Sequence, residues 1–212
     1  TAALLFAMIA AIPLGIVSAT TRNRWPDRLV RILVLSSVSL PGFLVASLLV
    51  WAFSLRLGWL PPGLWAPLWE GPEFWVLPTL TLSLRPLALL VRLVRGSVIE
   101  ALGNDYIRTA RAKGLGEARI VWKHALRNAW IPVLGLLPPL AAQLLTGSFL
   151  VETVFQIPGL GRSFVSSVIN RDYGLIMGTT LTFGAFLAAF TLMGDLLLVW
   201  ADPRLRNTSE ES

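Results

Sequence analysis

The stretch ILVLSSVSLPGFLVASLLVWAFSL, Ile32 to Leu55, runs for 24 residues without a charged side chain. An α-helix rises about 1.5 Å per residue, so this run exceeds the roughly 20 residues needed to cross a hydrocarbon core about 30 Å thick. Lipid offers no partner to backbone N–H and C=O groups, so a segment in it must pair them internally, as a helix does. Pro41 and Gly42 fall near the middle of the run. A proline there lacks a backbone donor and is expected to kink the helix.

The same signal recurs on both sides. Thr1–Thr21, Asn128–Val151 and Tyr173–Gly194 are also free of charge, and Phe74–Val94 is long enough but carries Arg85 and Arg92. Hydrophobic residues make up 55% of the chain and charged residues 14%, against roughly 45–50% and 25% in soluble domains. A single buried core in 212 residues does not require four such stretches. The expected fold is therefore all-α and integral to a membrane, one transmembrane domain over residues 1–212. Five spans are expected near 1–20, 30–56, 74–95, 129–152 and 174–200, with a polar loop at 96–128 and a broken outer segment at 153–172. The first run lacks the basic flank of a signal peptide. It reads as a spanning helix whose upstream sequence is missing.

Charge placement sets the orientation. The net charge is +6, but its distribution argues against nucleic acid. Four Lys or Arg fall in 21–31, two in 92–95, six in 100–128 and two in 204–206, all on one side if five helices alternate. Arg56, Arg162 and Arg171 fall on the other side. Cationic loops stay in the cytoplasm, so the first residue is expected outside and the C-terminus inside. The outer loop Gly58–Glu73 holds Trp59, Trp65 and Trp69, with Trp75 just beyond, among Pro61, Pro62, Pro67 and Pro72. Tryptophans in such a loop either anchor at the interface or stack on a ligand. There is no cysteine, a lone histidine (His124) cannot form a metal site, and no phosphate-binding Gly-x-x-x-x-Gly-Lys-Ser/Thr loop occurs. No cofactor is expected.

The loop DYIRTARAKGLGEARIVWKHALRNAWIP, Asp105–Pro132, is too polar for lipid and too periodic for a loose connection. Tyr106–Lys113 contains no Gly or Pro and predicts a short helix. Gly114 and Gly116 permit a sharp reversal, because glycine accepts positive φ. Arg119, Lys123 and Arg127 then share one helical face, with Val121, Trp122, Ala125 and Leu126 on another arc. Such a helix–turn–helix suits docking to a soluble partner. It equally suits anionic headgroups, where each Lys or Arg contributes about 1 kcal/mol.

This loop resembles the EAA loop of ABC importer membrane subunits, in the form found in the dipeptide, oligopeptide and nickel permease family. Ala110 and Gly114 match its central Ala and Gly. Arg108-Thr109 stand where many importers have Glu-Ala, and His124–Arg127 replace the usual Ile-x-Leu-Pro. Further segments are similar to the same family: Leu40-Pro41-Gly42-Phe43, Leu57–Pro61, Val151–Ser163, Asn170–Tyr173 and Asp202-Pro203-Arg204. The family normally begins with one more transmembrane helix.

The resemblance implies a bacterial or archaeal cytoplasmic-membrane subunit with no catalytic role of its own. Its partners would be a second homologous permease subunit, two cytoplasmic ABC ATPases, an extracytoplasmic solute-binding protein and membrane lipid. Coupling to the ATPase would use Arg108, Thr109, Ala110, Lys113, Gly114 and Leu115. The solute would be a peptide, with glutathione, nickel chelates and other small solutes behind. An outer gate meeting the binding protein would involve Glu152, Phe155, Pro158, Gly159, Gly161, Arg162, Arg171 and Asp172, although a simple interfacial turn explains the same residues. Arg85, about 16 Å into its span, either lines the translocation path or pairs with Glu152, Asp195 or a second subunit. A secondary transporter or channel would instead show acidic or polar residues inside several spans and repeated halves. Only Asp195 and Arg85 qualify here. A nonfunctional scaffold fragment is a third reading.

Overall fold

The computed structural model describes residues 2–63, 66, 67, 69, 71–145 and 148–201, and every described element is helical. Trp65, the Asp202-Pro203-Arg204 motif and the C-terminus lie outside the described residues.

Helix α1 (Ala2–Thr20) carries a stripe of small residues at every fourth position: Ala3, Ala7, Ala11, Gly15 and Ala19, all buried. It lies along α4 (Glu73–Gly103), whose Ala88, Val91, Val94 and Val98 are buried in the same core. Small residues let two helix backbones approach closely, which drives packing where lipid supplies no hydrophobic contrast. A Cβ on Gly15 would sit 2.6 Å from the Val94 side chain. This position requires glycine.

Helix α2 (Trp25–Ser39) carries Pro26 in its first turn, where proline is tolerated. It stops at Leu40, whose extended backbone (φ −86, ψ 130) is the conformation favoured before proline. Helix α3 (Gly42–Leu49) restarts at 107° to α2 and continues through wide π-helical turns at Val50–Arg56. The span expected over 30–56 is thus two helices meeting at more than a right angle.

Asn104 alone separates α4 from α5 (Asp105–Ala112). A short α6 (Glu117–Arg119) leads through a π-helical stretch at Ile120–Ala125 into α7 (Leu126–Leu145). Helix α7 continues past Pro132, Pro138 and Pro139. Pro138 faces Gly194, where a Cβ would overlap the pyrrolidine ring. Next come α8 (Phe149–Val154), α9 (Leu160–Ile169) and α10 (Tyr173–Ala201).

Among the described residues, α1, α4 and Tyr173–Gly194 of α10 are each long and apolar enough to span, and the bent α2–α3 pair makes a fourth candidate. The apolar part of α7, Pro132–Leu145, is shorter than a span. Its run is shared with α8. The outer segment is also more ordered than its Pro and Gly content suggested. Phe155–Gly159 and Asn170–Asp172 are irregular, and Leu160–Ile169 between them is helix.

Candidate functional site

The excursion between α4 and α7 is a closed hairpin. Helix α5 ends in a Schellman turn: the Gly114 N–H donates to the Arg111 carbonyl (2.9 Å) and the Leu115 N–H to the Ala110 carbonyl (3.3 Å). Gly114 has φ 75, the left-handed region this turn demands. Ile107, Ala110 and Ile120 form a small buried cluster, with Leu102 and Leu115 packed against it. Arg111 closes the hairpin with a bidentate pair to Glu117, Nε to Oε1 at 2.7 Å and Nη2 to Oε2 at 3.1 Å. That guanidinium holds the Glu117 carboxyl below its ordinary range.

The predicted coupling residues therefore divide. Arg108, Thr109, Lys113 and Gly114 are exposed, whereas Ala110 is buried and Leu115 half-buried, so these two build the hairpin. Sequence reading missed the Arg111–Glu117 pair, whose only signal is opposite charges flanking a glycine turn. It also misplaced Trp122, which is 56% exposed while Val121, Ala125 and Leu126 are buried. The π-helical turn there holds more residues per turn than an α-helix, so the 3.6-residue periodicity rotates Trp122 onto the wrong arc.

A second constellation, at the same end of the bundle, was not anticipated. Asp27 of α2 is fully buried. Its carboxylate accepts from Ser18 Oγ of α1 (2.6 Å), the Asn23 N–H (2.9 Å) and Arg95 Nε and Nη2 of α4 (2.9 and 3.1 Å), and Arg31 Nε lies at 3.6 Å. Three helices are tied at one carboxylate.

At the outer segment, buried Glu152 accepts the Arg162 N–H at 2.7 Å, capping the first turn of α9. The carboxyl occupies the space a Cβ on Gly159 would need, and lies 3.2 Å from one on Gly161. Phe155 is buried, whereas Pro158 and Arg162 are exposed. Arg171 has φ 55, and Asp172 Oδ1 accepts the Leu175 N–H at 3.0 Å, capping α10.

Glu152 is thus not the partner of Arg85, as one sequence reading allowed. Arg85 is exposed to a cavity of about 450 Å³. The side chain of Asp195 lies outside the described residues.

Several apolar helices around buried small-residue and ionic contacts, with one polar hairpin between α4 and α7, define a polytopic helical membrane protein. Residues 11–207 match the family described as binding-protein-dependent transport system inner membrane component, and the chain belongs to that family. It is 42% identical over 204 residues to the dipeptide transport system permease protein of Bacillus subtilis, covering 96% of this chain and 65% of that protein. It is 41% identical to the oligopeptide transport system permease protein of Salmonella typhimurium (97% and 66% covered). To the glutathione transport system permease protein of Escherichia coli K12 it is 42% identical (96% and 65% covered). The chain spans just under two thirds of the length of these relatives. The fold is that of a chain of the methionine ABC transporter MetNI in an inward-facing form, with TM-score 0.75 and 17% identity over 94% of this chain and 89% of that one.

Proposed function

We propose that the chain belongs to a membrane-spanning, non-catalytic subunit of an ABC importer that carries peptides or similar small solutes inward. The observation that carries this reading is the hairpin at 105–116. It presents Arg108, Thr109 and Lys113 outward on a helix fixed by a Schellman turn, a buried cluster and the Arg111–Glu117 pair. A rigid knob one residue beyond α4 can pass a push from a soluble partner into the membrane, which a loose lipid-binding segment cannot. That partner is a cytoplasmic ATPase, one of two, and a second homologous permease subunit supplies the other half of the path. The outer turn at Phe155–Gly159, with Arg162, Arg171 and Asp172, faces an extracytoplasmic binding protein and gates the mouth. The loops at 21–31 and 96–128 and the C-terminus are cytoplasmic.

The test is ATP hydrolysis and uptake by the complete importer in liposomes, using the full-length subunit, ATPases and binding protein, with and without a peptide mixture. Peptide-dependent hydrolysis with uptake is expected. Assembly without a peptide response redirects the search to other solutes. Failure to associate with any ATPase overturns the proposal.

A further inference from the structure

The α2–α3 bend and the adjoining ends of α7 and α8 meet the continuous helix α4 beside Arg85. The cavity there is lined by Ser37–Gly42 at the α2–α3 bend, by Thr81, Arg85 and Pro86 of α4, and by Gln143 and Ser148 flanking the α7–α8 break. Irregular backbone at membrane depth is tolerated only where protein or a water-filled cavity surrounds it. Arg85 lies about 16 Å along α4 from Phe74, close to the centre of a core about 30 Å thick. A charge at that depth is costly unless it meets a counter-charge or water. Yet Arg85 has no ion pair among the described residues, and no aspartate or glutamate is among the described residues lining the cavity. Among the described residues no neighbouring hydroxyl accepts a hydrogen bond from Arg85. Ser37 and Ser39 donate back to the Leu33 and Leu35 carbonyls at 2.8 and 2.9 Å. The lining also includes Pro41, Gly42 and Val45, at the first turn of α3, whose partial positive charge has the same sign as Arg85.

We infer that this cavity is an anion-selective station on the solute path, in which Arg85 holds a carboxylate of the passing solute. The inference rests on reading the chain as a solute-conducting subunit. The guanidinium fork matches a carboxylate in two parallel hydrogen bonds. The volume, about 450 Å³, falls in the range of small-molecule sites, about 300–1,000 Å³. A lipid headgroup is the wrong source of the anion, because headgroups lie about 15 Å from the bilayer centre.

The test uses the assembled importer with the full-length subunit. This sequence has no cysteine, so Ser39→Cys puts one thiol on the cavity wall. Its adduct is quantified by mass spectrometry of the peptide that carries it. Ser148→Cys, also on the cavity lining, repeats the measurement should the first variant fail to assemble. Two methanethiosulfonates of similar size are compared, one bearing a sulfonate and one a trimethylammonium, each normalised to its rate with a free thiol. The sulfonate is expected to react faster. Arg85→Gln should lower the sulfonate-to-ammonium ratio about tenfold, the order of one nearby charge in a partly screened site, and Arg85→Lys should retain most of it. N-acetylglycine at tens of millimolar should slow sulfonate labelling, whereas N-acetylglycinamide should not. A ratio unmoved by Arg85→Gln, absence of reaction with either reagent, or equal effects of acid and amide overturns the inference. Labelling needs no ATP turnover, so loss of coupling would count against the proposed function and not against this site.

Discussion

Gly114 and Gly159 are both glycines at a turn, and they are glycine for different reasons. At Gly114 nothing lies within 4 Å of a Cβ, but φ is 75, so a substitution is penalised only by the left-handed backbone, about 1–2 kcal/mol. Asn visits that region and Val does not. Gly114→Asn is therefore expected to preserve peptide-stimulated ATP hydrolysis in the reconstituted importer, and Gly114→Val to reduce it. Equal loss in both would mean that the residue contacts the partner and does not merely shape the turn. At Gly159 the backbone is ordinary and extended, and the constraint is the Glu152 carboxyl in the space of its Cβ. Glu152→Ala removes the cap on Arg162, and Gly159→Ala displaces the carboxyl. Each should lower thermal stability of the purified assembly by about 1–3 kcal/mol. The pair should cost less than the sum by about 0.5–3 kcal/mol, because either change alone already breaks the same contact. The turn at Gly114 is legible from two glycines near a charged helix. Gly159 reads as a simple helix breaker, since nothing in the sequence reveals the carboxylate that fills its space.

At the scale of elements, sequence reading did not find the clamp at Asp27. Its positions are ordinary in sequence: an acid among arginines in a loop that reads as uniformly basic, with Arg95 68 residues away. Only packing of α1 against α4 brings Ser18 and Arg95 to it. The four-residue spacing of small residues from Ala3 to Ala19 marks one face of α1 for close packing but does not say that α4 covers it. A buried pair broken on one side costs about 3–5 kcal/mol because the remaining charge is stranded. Asp27→Leu is expected to destabilise the subunit on that scale in detergent unfolding. Arg95→Lys should fall between it and wild type, because an ammonium cannot supply both the Nε and Nη2 bonds. The clamp lies on the face shared by α1, α2 and α4, so a milder variant that still assembles should loosen the base on which α5 stands. It should lower the ratio of uptake to ATP hydrolysed more than the rate of hydrolysis.

For the whole molecule, the distribution of Lys and Arg makes one claim on which the functional reading depends. The hairpin must face the ATPase side and the tryptophan loop the opposite side. Arg119 and Lys123 are exposed on one excursion, and Trp59 is 69% exposed on the loop that joins α3 to α4. These 212 residues contain no cysteine, so a cysteine introduced on either side can be followed by mass spectrometry of the peptide that carries it. In intact cells, a membrane-impermeant maleimide is expected to label Trp59→Cys and to leave Lys123→Cys untouched until the membrane is opened. The control is labelling of both in open membranes, which separates shielding by the bilayer from burial in the protein. Labelling of Lys123→Cys from outside would invert the topology, because cationic loops of this length follow the positive-inside rule unless a partner overrides it. It would also remove the hairpin from any cytoplasmic ATPase and the proposed coupling with it, while leaving the helical fold and the cavity at Arg85 as they stand.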